Sequence, residues 1–581
     1  MLRRTVVALV AASLTLAASV LPAQADGAPA TPTKLRIVTS DGTDLAASLT
    51  AADATARPTV VEFTPYGEGG ASFSFGPDYN FLSVQVRGTG DSNGAFDVLG
   101  PDSQRDVVDV LRWACAQPWS NGSLALAGFS ASAIIVFNSL HEVLPCVKAA
   151  VLRSGTFELY RDLLVPGGVP NSVPGLAVLA GIGGLALAQG QERLARDPSS
   201  SLAVIIGLLT AGFDAGLLNP TLDPYWAQRG FRGNANHFPV LLLDGTFDVE
   251  PRGDYQAFQQ LRAAGVDTRL LVTGAHDGAP RGTDDGLAAI NQWFDHYVRG
   301  VDNGVQDEPR VEVLAAHGSR EALAHGDYVR LTGSDWPLPG TTWTALNLSR
   351  TRAAGVASLN NGTLARTGPD LLPSLQAYPA LASLPLQTDP NTIAAVAGGD
   401  GGPLNQLSDF IPALTDMNLS NLTGLTYTTA PLKVPVTAVG PATLDLTLAS
   451  TLPATQIWAV VSDVGPDGQS KPMAVGRLNT AFPDVVPGKS LYSAGQLVQP
   501  YGDYGTARPT LPGLSRSYHV EIWPIANRFE VGHRIQLSLV GQSMFSFPTL
   551  PALNTVTIGG ASGSRLMFPT VAGSSLAAAL P

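Results

Sequence analysis

The sequence predicts an α/β domain followed by an all-β domain. Between residues 35 and 300, short apolar strands alternate with amphipathic helices, which is typical of an α/β sheet. Beyond about residue 310 the helical periodicity fades, and Gly, Pro, Thr, Ser and Asn separate short apolar runs, as in a β-sandwich. A chain of 581 residues is also too long for one core. We therefore expect domains over residues 26–310 and 311–581.

The first 25 residues are predicted to form an export signal. Arg3 and Arg4 precede an apolar run over Val6–Val20, and Ala23-Gln24-Ala25 gives a small-x-small cleavage site before Asp26. A membrane anchor is the alternative, but the run is short and no stop-transfer charges follow it. We expect a secreted, extracytoplasmic protein without a stable membrane anchor.

Composition narrows the possible partners. A net charge of −12 disfavours nucleic acid, which binds basic surfaces. Because the chain has no Cys/His cluster and no phosphate-binding glycine loop, we expect no metal and no cofactor. Composition leaves the oligomeric state open.

The elements of the first domain follow from apolar periodicity. Strands are predicted at Leu35–Val38, Thr59–Phe63, Phe81–Val86, Leu124–Ala127, Ala149–Leu152, Pro239–Leu243 and Arg269–Val272, and helices at Asp102–Trp113, Tyr255–Ala264 and Gly286–Arg299. Residues 155–235 interrupt this alternation with helical segments, which we interpret as a cap over an active site. In the second domain, Ile457–Val461 and Ile535–Leu539 are predicted strands, and residues 351–425 are placed only as long connections.

A nucleophilic serine is predicted at Ser130. The buried strand Leu124–Ala127 leads into a turn in which the small residues Gly128 and Ser132 flank Ser130, and an apolar helix follows. This strand–turn–helix pattern is the nucleophile elbow of α/β-hydrolases, which exposes the serine Oγ. The same turn directs the Ala131 N–H towards a developing oxyanion.

A serine nucleophile needs a base and an orienting acid, in the chain order serine, acid, histidine. Of the eight histidines, His276 follows a strand of the α/β region, in a loop bounded by Gly274 and Gly278. The acid should follow the strand Pro239–Leu243. Asp248 is far enough into that loop to reach a histidine, in competition with Asp244, Glu250 and Asp254.

Cys115 and Cys146 are the only cysteines. In an exported protein, two cysteines on either side of the elbow in sequence predict one disulfide. The alternative is a pair of buried thiols, which behave as small apolar residues.

Several motifs resemble the cocaine esterase and X-Pro dipeptidyl-peptidase family of serine hydrolases. Each motif is short, but their shared order is specific and runs from about residue 35 to 550. The motifs are Pro65-Tyr66, residues 87–96 (RGTGDSNGAF), 117–122 (QPWSNG), 223–226 (DPYW), 335–339 (DWPLP), 462–468 (SDVGPDG) and 527–535 (NRFEVGHRI).

The resemblance implies an α/β-hydrolase sheet with an inserted helical cap, about residues 155–235, followed by an all-β jelly-roll sandwich. It also implies a catalytic triad of Ser130, Asp248 and His276, with an oxyanion hole formed by the Tyr66 hydroxyl and the Ala131 amide.

The chain departs from the family pattern near the nucleophile. Ala131 and Ser132 stand where the family usually has Tyr and Gly, and Gln85 stands where an Asp commonly precedes the Arg-Gly pair. The backbone amide of residue 131 survives these changes, but the pocket and the substrate preference are affected.

Three functions follow from these observations. The first is an exported carboxylesterase, for which a cap rich in Leu, Ala and Gly favours apolar acyl groups. The second is an X-Pro dipeptidyl-peptidase or a related acylase. The peptidase needs a buried carboxylate to hold the substrate ammonium, with Glu158, Asp162 and Asp214 as candidates. The third is a carbohydrate-binding or adhesive protein with an inactive hydrolase half. The expected partner is a small ester or a short peptide.

Overall fold

The protein was analysed as a computed structural model. It describes residues 32–67, 75–171, 182–184, 186–213, 220–248, 251–274, 286–356, 358, 360–368, 370–383, 416–543, 546 and 549–581. The predicted export signal, Asp214, Glu250 and His276 lie outside these residues.

A ten-stranded portion of sheet forms the first half of the fold. Its strands are β1 (Thr33–Val38), β2 (Asp44–Thr50), β3 (Arg57–Thr64), β4 (Asn80–Gln85), β5 (Ser120–Phe129), β6 (Val147–Arg153), β7 (Val240–Asp244), β8 (Thr268–Val272), β9 (Val311–His317) and β10 (Tyr328–Gly333). They lie in the order β1-β2-β4-β3-β5-β6-β7-β8-β9-β10, and the strands from β4 to β9 are parallel. The seven predicted strands of this half are confirmed, each within four residues at its ends.

The described helices include several that pack on this sheet and two short ones, Asn418–Asn421 and Leu576–Ala579, that belong to the second half. They are α1 (Pro101–Cys115), α2 (Ala131–Ser139), α3 (Gln191–Arg196), α4 (Pro198–Phe213), α5 (Pro224–Ala227), α6 (Pro251–Ala263), α7 (Leu287–Tyr297), α8 (Arg320–Ala324), α9 (Asn418–Asn421) and α10 (Leu576–Ala579), with a π-helical turn at Tyr160–Leu164 and 3₁₀ turns at Pro166–Gly168, Val305–Asp307 and Pro487–Lys489. In the described part of the chain, no helix has the length and hydropathy needed to cross a bilayer.

The two faces of β5 explain how the sheet is covered. Leu124 and Leu126 point to the face that packs with the main core, whereas Ala125 and Ala127 point to the other face. The small alanines leave room there for Trp293 on α7, which is fully buried. The elbow at the end of β5 therefore rests on a strand that is packed on both sides.

The second half consists mainly of antiparallel strands. They are β11 (Thr342–Ser349), β12 (Asn361–Ala365), β13 (Ser374–Ala380), β14 (Ala382–Ser383), β15 (Leu425–Thr428), β16 (Val436–Ser450), β17 (Gln456–Val464), β18 (Ser470–Asn479), β19 (Leu491–Ser493), β20 (Gln496–Gln499), β21 (Arg516–Phe529), β22 (Arg534–Val540), β23 (Gln542–Ser543), β24 (Ala552–Ile558) and β25 (Arg565–Thr570). The two halves meet where β9 pairs with β21. Since β9 continues the parallel sheet after residue 310, the sheet crosses the position where the composition changes.

One prediction about this half was wrong. Residues 351–425 were expected to be long connections, but they contain β12, β13 and the start of β15. Strand β13 pairs along its whole length with β24, and β12 pairs with β11 and β15. Partners far away in sequence stabilise these strands, so local composition does not reveal them.

The predicted disulfide is confirmed. Cys115, the last residue of α1, is bonded to Cys146, which lies just before β6, with a Cα–Cα distance of 6.2 Å. The bond closes a segment that contains β5, the elbow and α2. It therefore braces the segment that carries Ser130.

Candidate active site

Ser130 occupies the turn between β5 and α2 with an unusual backbone conformation. Its φ is 53° and its ψ is −122°, a region that residues with a side chain rarely adopt. A Cβ placed on Gly128 would lie 2.5 Å from the Ser132 carbonyl oxygen and 2.6 Å from the Ala133 nitrogen. Only glycine fits there, so the tight turn that exposes the serine depends on the residue two positions before it.

Tyr66 lies beside this turn. It follows β3, and its hydroxyl accepts a hydrogen bond from the Ala131 backbone N–H at 3.1 Å. Its own backbone N–H donates to the Thr64 hydroxyl at 3.1 Å, which fixes the turn. Two hydrogen-bond donors that are 65 residues apart in sequence are therefore brought together next to Ser130.

The elbow is connected to the neighbouring strands. The Ser130 N–H donates to the Arg153 carbonyl at 2.9 Å, and the Ser154 N–H donates to the Leu243 carbonyl at 2.8 Å. These bonds align the carboxyl ends of β5, β6 and β7. Side chains at the end of β7 therefore approach the elbow from the same edge of the sheet.

Asp248 lies in the loop that follows β7, and its side chain is fully buried. The Phe247 N–H donates to the Gly274 carbonyl at 3.1 Å, so this loop lies against the loop that follows β8. His276 comes two residues after Gly274 and lies outside the described residues. The structure thus brings the Asp248 loop to the start of the predicted histidine loop.

Two further carboxyl groups are buried close to Asp248. Burial, together with the charges of Asp248 and Asp254, raises the pKa of Asp244 well above its usual range. Burial therefore disfavours the charged form of Asp244, whose Oδ1 accepts a hydrogen bond from the Gly245 N–H at 2.7 Å. Sequence reasoning placed Asp244 only as a competitor of Asp248. The sequence feature that could have indicated a buried carboxyl group here is the position of Asp244 as the last residue of an otherwise apolar strand.

The carboxylates considered for an ammonium pocket have other partners. Asp162 is completely buried and pairs with Arg252 at 2.7 Å, and its second oxygen accepts the Glu158 N–H at 2.8 Å. Glu158 accepts a hydrogen bond from the Tyr501 hydroxyl and lies 3.4 Å from the Arg161 guanidinium. Both carboxylates are therefore neutralised by arginines. The third candidate, Asp214, lies outside the described residues.

Arg252 extends this network into the second half of the chain. Its Nε lies 3.0 Å from Glu521 on β21, and its side chain is almost completely buried. Because Arg252 is the second residue of α6, four positions after Asp248, the ion pairs tie the acid loop to the β-rich domain. Sequence reasoning did not identify this link.

Residues 186–196 lie over the turn that carries Tyr66. A Cβ on Gly67 would overlap the Gln189 carboxamide, so Gln189 sits directly on this turn. On α3, the Arg193 N–H donates to Asp91 at 3.0 Å and its guanidinium donates to the Ser92 carbonyl at 3.1 Å. These bonds hold the helical segment above the carboxyl ends of the parallel strands.

Comparison with known proteins relates both halves of the chain to domains of the same protein family. Residues 41–278 match the X-Pro dipeptidyl-peptidase family S15, and residues 303–561 match the X-Pro dipeptidyl-peptidase C-terminal non-catalytic domain. A Mycobacterium bovis protein named as a serine esterase is 24% identical over 544 residues, with 81% of this chain and 80% of that protein covered. Cocaine esterase from a Rhodococcus species is 23% identical over 471 residues, with 75% and 79% covered.

Solved structures share the fold. A CocE/NonD family hydrolase from Staphylococcus aureus superposes with a TM-score of 0.70 at 17% identity, covering 93% of each chain. This similarity establishes an α/β-hydrolase domain followed by a β-rich domain.

Proposed function

We propose that this protein is an exported carboxylesterase that acts on apolar acyl esters through Ser130, Asp248 and His276. The chain belongs to the X-Pro dipeptidyl-peptidase S15 family of serine hydrolases. The observation that carries this proposal is the strained Ser130 elbow with the Tyr66 hydroxyl 3.1 Å from the Ala131 nitrogen. A serine hydrolase needs an exposed nucleophile beside two oxyanion donors, and these three residues supply that arrangement.

The proposed reaction proceeds through an acyl-enzyme. His276 removes the Ser130 proton while Oγ attacks the ester carbonyl, and the carbonyl oxygen becomes an oxyanion held by Tyr66 and Ala131. Collapse of this intermediate expels the alcohol, which takes the proton from His276. Water then attacks the acyl-enzyme by the same route and releases the acid.

Asp248 acts on the histidine rather than on the substrate. A buried carboxylate next to the imidazole fixes its tautomer and stabilises the imidazolium that forms. We assign this role to Asp248, because its buried side chain lies in the loop that contacts the loop after β8 through the Phe247–Gly274 hydrogen bond, whereas Asp244 is still part of β7.

Esters are favoured over X-Pro peptides by the surroundings of Glu158 and Asp162. A dipeptidyl-peptidase must offer a carboxylate to the substrate ammonium, because an unpaired buried charge is costly. Both carboxylates already pair with Arg161 or Arg252. Freeing either one would remove one ion-pair partner from a buried arginine.

The remaining proposals concern architecture and location. We infer that the helical residues between 155 and 235 act as a cap over the site, and that the β-rich domain is a jelly roll. Export is supported by the charged and apolar N-terminal sequence and by the Cys115–Cys146 bond, since disulfides persist in oxidising compartments.

One comparison tests this function. Purified enzyme is assayed side by side on p-nitrophenyl acyl esters and on a Gly-Pro-anilide, with Ser130→Ala as the control for background hydrolysis. We expect ester turnover with little or no anilide cleavage. Preferential cleavage of the anilide would contradict the esterase assignment while retaining Ser130. A Ser130→Ala variant with full ester turnover would contradict the nucleophile assignment.

A further inference from the structure

A buried arginine connects the loop of the proposed catalytic acid to a fixed carboxylate of the β-rich domain. Arg252 is the second residue of α6, four positions after Asp248, and its side chain is 2% exposed. Its Nε donates to both oxygens of Glu521 on β21, each at 3.0 Å. The Gln499 carboxamide donates to the same carboxylate at 3.1 Å and so holds it within the β-rich domain.

The same guanidinium is bound to the first half of the chain. Its Nη1 donates to one Asp162 oxygen at 2.7 Å. The other Asp162 oxygen accepts the backbone N–H groups of Phe157 and Glu158 at 3.1 and 2.8 Å. Arg252 therefore bridges the segment after β6 and strand β21. Because its N–H groups form a planar fork, carboxylates on two sides fix both its position and its orientation.

The start of α6 packs against the segment after β6 without intervening side chains. A Cβ on Gly253 would lie 2.8 Å from the Gly155 carbonyl oxygen and 2.8 Å from the Phe157 nitrogen. A Cβ on Gly155 would in turn lie 2.8 Å from the Cβ of Ala133 on α2, the helix that begins directly after Ser130. Since the backbones are in close contact, side-chain rearrangement cannot absorb a displacement of α6.

The first turn of α6 also lies within electrostatic range of the acid loop. Asp254, two residues after Arg252, is fully buried. Its charge and that of Asp248 both raise the pKa of Asp244 at the end of β7. A displacement of Arg252 would therefore change the surroundings of Asp248 as well as the position of the chain that carries it.

Helix stability does not account for an arginine at this position. A cation in the first turn of a helix is opposed by the helix dipole. Burial of a guanidinium is also costly unless carboxylates neutralise it, and a buried ion pair generally stabilises a fold no more than apolar side chains of the same volume. What the ion pairs of Arg252 do supply is one defined arrangement of α6 against β21.

We propose that Glu521 is a positioning residue for catalysis, which through Arg252 holds the Asp248 carboxylate at the distance from the Ser130 elbow that the triad requires. The role of Asp248 as the acid rests on the proposed function. The positioning role gives the β-rich domain, whose family model is described as non-catalytic, a part in the reaction without contact with the substrate.

The test is a double-mutant cycle between Glu521→Gln and Asp248→Asn in the full-length mature enzyme. Turnover is measured on whichever chromogenic substrate, ester or anilide, the wild-type enzyme cleaves, with Ser130→Ala as the background. Glu521→Gln removes the charge and keeps the shape of the side chain. Arg252 retains Asp162 at 2.7 Å in this variant, so we expect it to fold.

Two further variants make the result specific. Arg252→Lys changes the same contact from the other side, because it keeps the charge and loses the planar fork. It replaces Glu521→Gln in the cycle if that variant does not fold. The matched control is Asp445→Asn, which also removes a partly buried carboxylate that pairs with an arginine of the β-rich domain, Arg565, at 2.9 Å, and with His519 on β21. Melting temperature and circular dichroism establish that each variant is folded.

We expect Glu521→Gln and Arg252→Lys each to lower kcat by about tenfold to a hundredfold with little change in KM, because a misplacement of about 1 Å can cost about 10² in rate. Asp445→Asn should stay within about threefold of wild type. In the Asp248→Asn background, Glu521→Gln should lower kcat by less than about twofold, because the group that it positions is already removed.

Two results would overturn the positioning role. An equal loss of kcat in both backgrounds would show that Glu521 acts independently of Asp248. An unchanged kcat with a lower melting temperature would show that the ion pair only stabilises the fold. Failure of the proposed function is observed separately, in the Asp248→Asn variant alone: near-wild-type kcat there would show that Asp248 is not the acid, and the positioning role would be wrong as well.

Discussion

Replacing Tyr66 with phenylalanine removes one hydroxyl group and leaves the ring in place. In the resting enzyme this hydroxyl accepts the Ala131 N–H at 3.1 Å. When an ester carbonyl enters, both groups are expected to donate to the oxyanion, so the variant keeps one donor of two. Loss of one such donor costs about 10²–10³ in kcat, or about 2.7–4 kcal/mol of transition-state stabilisation. We therefore expect this decrease for Tyr66→Phe.

The assay separates this role from a structural one. Because the hydrogen bond gains strength chiefly in the transition state, kcat on a p-nitrophenyl ester should fall while KM changes little. The resting bond is worth only about 1 kcal/mol, so the melting temperature should fall by no more than a few degrees. A variant with kcat within threefold of wild type and an unchanged melting temperature would show that the second donor is another group.

The remaining predictions concern the acid, the disulfide and one ion pair. Asp248→Asn should lower kcat by about 10⁴, because the amide favours the wrong histidine tautomer. Asp244→Asn leaves the Asp248 carboxylate in place and should cost far less; the opposite ranking in steady-state assays would move the acid to Asp244. Cys115→Ser should destabilise the fold by about 3 kcal/mol in denaturant titrations, since the bond closes a long loop; no loss would contradict this. The hydrogen bond that His533 donates to the Asp463 carboxylate raises the pKa of His533, so the stabilisation by this pair should be full below about pH 6.5 and lost as pH rises through the raised value. The melting-temperature deficit of His533→Gln should accordingly be larger at pH 6 than at pH 9, and a deficit independent of pH would refute this reading.

The elbow could be predicted from sequence because its requirements are local. Gly128 has no room for a side chain, and Ser130 must pass directly from strand to helix, so the pattern is contained in a few consecutive residues. The parallel strands were also predictable, since strands buried on both faces read as continuous apolar runs. Strand β2 was not predicted, because its small residues Ala46, Ala47 and Ser48 do not form a clear alternation of apolar and polar side chains.

Contacts between residues that are far apart in the sequence could not be predicted from the sequence. Arg252 and Glu521 are 269 residues apart, and nothing near either residue indicates the other. Asp162 and Arg252 are 90 residues apart, and their pairing decides whether that carboxylate can bind a substrate ammonium. The raised pKa of Asp244 also depends on burial and on two neighbouring carboxylates, which only the folded structure brings together. The resemblance to a known family supplied the role of Tyr66, which the turn alone does not reveal.

The most direct test of the account is covalent labelling by a serine-directed phosphonate, followed by peptide mass spectrometry. We expect one phosphonate per chain, attached to Ser130, with loss of ester turnover in proportion to labelling. The Ser130→Ala variant should remain unlabelled with a melting temperature near that of wild type. Labelling at another serine, or a folded wild-type enzyme that hydrolyses esters without being labelled, would contradict the claim that Ser130 is the nucleophile.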